Sequence, residues 1–88
     1  MAVTTANGIW EIQKSLNVLA GTTNLDAQAA ANVWAGTSHL ELIEALNHKN
    51  GQTHPPFLDF NAVCNALAST TLREGQDALS KLAGGGYT

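Results

Sequence analysis

The sequence repeats itself, and the period of that repeat constrains the fold more than any other feature. From Asn17 the chain reads N-V-L-A-G-T-T-N-L-D-A-Q-A-A-A, and Asn32 restarts the phrase as N-V-W-A-G-T-S-H-L-E-L-I-E-A-L. A third copy opens at Asn47 with N-H-K-N-G-Q-T and continues through H-P-P-F-L-D-F-N-A-V-C. Asn65 opens a fourth, N-A-L-A-S-T-T-L-R-E-G-Q-D-A-L, and Ser80 a shortened fifth, S-K-L-A-G. Starts at 17, 32, 47, 65 and 80 give steps of 15, 15, 18 and 15. A unit this short cannot bury its own apolar face, so successive copies must pack on one another.

Each copy reads as a helix end, a tight turn and the start of the next helix. Gly21, Gly36, Gly51 and Gly84 stand just past a helix end, where glycine turns left-handed most cheaply. Ser69 takes that place in the fourth copy. Thr23, Ser38 and Thr71 then predict N-caps, each with a carboxylate three residues on (Asp26, Glu41, Glu74), the spacing of a capping box. Gly8 with Glu11 and Pro56 with Asp59 keep that spacing. Five helices follow, over residues 9–20, 24–35, 39–50, 57–68 and 72–83. Their apolar residues recur at helical spacing, as in Ile9, Ile12, Leu16 and Leu19, and no segment alternates like a strand. Helices of about 12 residues are marginal alone and must be held by mutual packing. The fold class is therefore all-α, a compact orthogonal bundle of five short helices, with a short open α-solenoid as the alternative. Residues 1–8 read as an extended arm, 9–83 as the helical domain and 84–88 as a glycine-rich tail.

Asn17, Asn32, Asn47 and Asn65 lie one turn before each helix ends, and asparagine is a poor helix former. Four copies in one register imply a structural role, in which each side chain bonds backbone groups of a neighbouring turn. The functional alternative is a row of ligand-binding amides.

Little in the sequence points to catalysis. Five of the seven carboxylates (Glu11, Asp26, Glu41, Asp59, Glu74) share the helix-start position, which capping and the helix dipole explain. Glu44 and Asp77 remain, at one equivalent position, so no pair is left to divide acid and base roles. His39, His48, His54 and Cys64 are spaced by 9, 6 and 10, which matches no zinc pattern. Cys64 sits between Val63 and Leu67 on an apolar face, as a small core residue would. The G-T-T and G-T-S turns lack the lysine of a phosphate-binding loop. No cofactor is expected.

Four Lys and Arg against seven Asp and Glu give a net charge of −3, and Lys14, Lys49, Arg73 and Lys81 are scattered over three helices. That balance opposes nucleic-acid binding. No apolar run approaches the roughly 18 residues of a membrane span. The apolar class is 44 % of the chain, yet fourteen of its members are alanine, so the core is light and gains from burial against a partner. Candidate partner contacts are Val3 in the N-terminal arm, Trp10, Phe57 and Tyr87 in the tail. Trp34 suits core filling.

Over residues 16–83, the phrase L-N-V-L-A-G-T-T-N-L-D-A-Q-A-A-A-N-V-W-A-G-T-S-H-L resembles helical repeats in virion proteins of tailed phages, especially those of actinobacterial hosts. There L-N-x-x-A-G-T-[TS]-x-L phrases occur in small head proteins and at the ends of larger structural proteins. The resemblance implies a non-enzymatic virion structural protein that decorates or cements the capsid exterior, with a tail or connector component as the nearest variant. Its implied partners are the major capsid protein or other virion proteins, with a homo-oligomer possible, and its implied location is the virion surface after synthesis in the host cytoplasm. Gln52, the H-P-P insertion and Ser69 depart from the pattern. A binding module for a host-surface saccharide and a small intracellular regulator are the competing functions.

Overall fold

The repeat becomes a ring of helices. The structure, a computed structural model, describes residues 9–85. Its helices are α1 (Ile12–Ala20), α2 (Ala27–Ala35), α3 (Leu42–Lys49), α4 (Phe60–Ala68) and α5 (Gly75–Ala83). The protein is all-helical, and no strand occurs among the described residues. Each helix packs on its neighbours in the chain, and α1 also packs on α5, so the array closes. No other helix pair is in contact among the described residues. The result is a thin disc with Cα extents of 37 × 29 × 14 Å.

The helices end close to where the sequence places them, because the turn chemistry is local. Gly21 and Gly36 adopt φ of 75° and 77°, and their N–H groups turn back on the carbonyls of Val18 and Val33. Thr22 and Thr37 donate to the carbonyls of Asn17 and Asn32, both at 2.9 Å, which satisfies the last carbonyls of each helix. Ser69 makes the same left-handed turn at φ 61°, the one non-glycine with positive φ among the described residues.

The helix starts differ from the sequence reading by three residues. The helices begin at 12, 27, 42, 60 and 75, and the N-caps are Glu11, Asp26, Glu41, Asp59 and Glu74, not Thr23, Ser38 and Thr71. Asp26 and Asp59 accept directly from Ala29 N–H (2.7 Å) and Ala62 N–H (2.8 Å). Each N-cap residue is extended, and before α2, α3, α4 and α5 the residue preceding it is held by the preceding helix through both its N–H and its C=O.

Every helix turns the same three positions inward: Ser15-Leu16-Asn17, Ala30-Ala31-Asn32, Ala45-Leu46-Asn47, Val63-Cys64-Asn65 and Ala78-Leu79-Ser80. Alanine and cysteine in this inner row let five helices converge around a small apolar centre. Large residues then meet small ones where neighbours touch: a Cβ on Gly75 would lie 2.3 Å from the Phe60 ring.

Candidate interaction surface

Four buried asparagines build the junctions between successive helices. Asn32 Nδ2 donates to the carbonyls of Gln28 (2.9 Å) and Leu40 (2.8 Å). Its Oδ1 accepts from Leu40 N–H (3.0 Å) and from Thr37 Oγ1 (2.6 Å). The side-chain amide therefore pairs with both backbone groups of Leu40, as a neighbouring strand would. Asn17 repeats the pattern with Gln13, Leu25 and Thr22, and Asn65 with Asn61, Arg73 and Thr70. Asn47 pairs with Ile43 and, across the longer turn, with Leu58. There Gln52 stands in place of threonine and donates instead to the carbonyls of His54 (2.7 Å) and Pro56 (3.1 Å), which organises the inserted residues. In the three junctions with threonine, both amide protons and both carbonyl lone pairs of the asparagine are used. Aspartate has the shape without the donors, and glutamine has the donors on too long an arm.

The fifth junction closes the ring and is built differently. Ser80 occupies the asparagine position, and Trp10 occupies the position of Leu25, Leu40, Leu58 and Arg73. Trp10 N–H donates to Ser80 Oγ (2.9 Å), and Gln76 Nε2 donates to the Trp10 carbonyl at 3.2 Å. Two side chains thus divide what one asparagine does elsewhere. Gly85 replaces the threonine, and the space belongs to the indole: a Cβ on Gly85 would lie 2.7 Å from the Trp10 ring and 2.5 Å from Ser80 Oγ. Lys14 Nζ stands 4.6 Å from the Trp10 ring centroid.

The candidate contacts from the sequence fall in different places. Trp10 is half-buried in the closing junction, and Phe57 is half-buried before α4. Val3 and Tyr87 lie outside the described residues, as do the rest of the N-terminal arm and residues 86–88. Gly84 caps α5 and Gly85 is buried, so both belong to the folded ring and not to a tail. Trp34 packs against the core, with Lys49 Nζ 5.2 Å from its ring centroid. His39, His48 and His54 are exposed, and among the described residues no group of three His, Cys, Asp or Glu side chains could hold a metal ion. Cys64 is fully buried, and burial pushes its thiol up to about 12. No described helix is long and apolar enough to cross a membrane.

Sequence reasoning overlooked two sets of residues. Thr22, Thr37 and Thr70 serve the asparagines, and their recurrence five residues after each was the available signal. Leu72, 96 % exposed, and the exposed Val18, Val33 and Leu58 are the large apolar residues on the outer surface among the described residues. Val18 and Val33 share one repeat position, directly after the buried asparagine. Glu11, Gln13, Lys14, Asn17, Val18 and Thr23 line a shallow groove of about 430 Å³. Its repeat equivalent on α2 is lined by Asp26, Gln28, Asn32 and Ser38. Both grooves are open and mainly solvent-facing, suited to a contacting surface more than to an enclosed substrate. No protein family, curated protein or solved structure matches this chain.

Proposed function

We propose that this chain is a non-enzymatic structural protein of a phage virion, bound to the exterior of the capsid as a decorating or cementing subunit. The observation that carries the reading is a thin, closed disc that keeps large apolar residues outside. An 88-residue chain with a light core exposes Leu72, Leu58, Val33 and Val18, a distribution suited to burial against another protein. A disc 14 Å thick offers wide faces for lying flat on a larger surface. The groups with reactive potential are engaged otherwise: five carboxylates stand at helix starts, and the Cys64 thiol is inside. The resemblance of residues 16–83 to virion repeats supports the same reading, with the major capsid protein as partner and the capsid surface as location.

The test is the copy number of this chain in purified particles, measured by quantitative mass spectrometry against the major capsid protein. A constant ratio to that protein across preparations is expected. A few copies per particle would move the protein to the tail or connector. Absence from particles, with abundance in infected cells, would overturn the virion reading.

A further inference from the structure

We propose that the α5–α1 junction is a latch that opens, and that its open form joins a second copy of this chain head to tail. In that joint, Trp10 of one copy seats on Ser80 and Gly85 of the next. Three observations carry this, none of which depends on the virion reading.

First, four of the five junctions are tied by a turn of the chain, whereas α5 and α1 lie at opposite ends of the described sequence. Opening there stretches no loop. Second, among the described residues the polar fixing is the lightest in the ring: two side-chain bonds, of 2.9 and 3.2 Å, hold Trp10, whereas Asn32 makes four at its junction and Asn47 three. Third, the seat selects its occupant. Trp10 needs the empty space beside Gly85, and the equivalent residues elsewhere are Thr22, Thr37, Gln52 and Thr70, all with side chains. The indole of any copy therefore fits α5 of any copy and no other junction.

The segment that closes the ring and the segment that would join two rings are the same, so the contact needs no new surface. Concentration decides between them. A tethered segment competes at an effective concentration on the order of mM, so dilute chains close on themselves and densely arrayed copies exchange. A head-to-tail contact of this kind can extend or close according to its rotation.

The test uses two full-length chains, each unable to close on itself. Trp10→Ala removes the indole and leaves the seat intact. Gly85→Val fills the seat and leaves the indole. Both also carry Trp34→Phe, so the only tryptophan in a mixture is Trp10 of the Gly85→Val chain. Mixed one to one, they can form a single good joint, between Trp10 of one chain and α5 of the other. The expected result is a heterodimer by light scattering, with Trp10 emission shifted to the blue and an apparent Kd at least tenfold below that for self-association of either variant. Variants that are unfolded alone should regain helical circular dichroism on mixing. A mixture whose mass, emission and helicity equal the sum of its parts would overturn the proposal. So would equal self-association of each variant alone, which would put the contact elsewhere.

Discussion

Replacing Asn32 with alanine should cost this protein a large share of its stability. The side chain is 5 % exposed and makes four hydrogen bonds, to Gln28, Thr37 and both backbone groups of Leu40. At about 1 kcal/mol net for each bond, with Leu40 N–H and Thr37 Oγ1 left in a buried pocket, the loss is about 3–4 kcal/mol. A domain of this size has a total stability of about 4–13 kcal/mol. Each kcal/mol moves the midpoint of such a domain by about 4–8 °C, so Asn32→Ala should melt roughly 12–30 °C lower. Thermal melts followed at the helical circular-dichroism band measure the shift, and hydrogen exchange at Leu40 N–H locates it. That amide should lose its protection in the variant. Asn32→Asp separates shape from donors. Its carboxylate would face the carbonyls of Gln28 and Leu40, which favours the neutral acid in the folded state and raises its folded pKa. The variant should therefore be least destabilised at low pH and lose stability as pH rises. A midpoint for Asn32→Ala within about 2 °C of the unmodified protein would refute the asparagine junction as a determinant of the fold.

Gly75→Ala should destabilise despite the better helix propensity of alanine, because the new Cβ meets the Phe60 ring at 2.3 Å; Phe60→Leu in the same chain should recover part of the loss in a urea melt. Ser69→Gly should raise the melting midpoint by a few degrees, about 1 kcal/mol, since φ 61° strains serine and suits glycine. The Cys64 thiol should resist alkylation at pH 8 in the native protein and react fully in denaturant. Its folded pKa, raised from 9.0 to about 12 by burial, stabilises the fold below pH 9, and that contribution is lost as pH rises from 9 towards 12. Cys64→Ala should lack this alkaline slope in equilibrium unfolding.

The repeat made most of this architecture legible. Helix number, helix ends and the longer third unit follow from Asn and Gly at fixed spacing, because left-handed turns and their carbonyl partners are local in sequence. Helix starts were misplaced because Thr23 and Asp26 look like a capping pair when read alone. The winning contact comes from eight residues upstream, where Asn17 takes both backbone groups of Leu25 and the helix starts only at Ala27. Closure was not legible. Trp10 shares the register of Leu25 and Leu40, and Ser80 that of the asparagines, but whether the ends meet depends on a curvature that no short-range pattern encodes. The exposure of Leu72 was hidden for a different reason: a helix read from 72 would place it on an apolar face, whereas α5 starts at Gly75 and leaves Leu72 in the preceding turn, outside the ring.

Closure also removes any privileged beginning to the chain. Trp10 lies against Gly85, so the two ends of the folded ring are within reach of a short peptide link. A chain circularly permuted to start at Thr22, Thr37 or Thr70 would cut one asparagine-held turn and cover the present seam with a covalent loop. Its five helices would keep the same neighbours in a different order of synthesis. In such a molecule the order in which helices leave the ribosome becomes a free variable, separable from the structure they finally share.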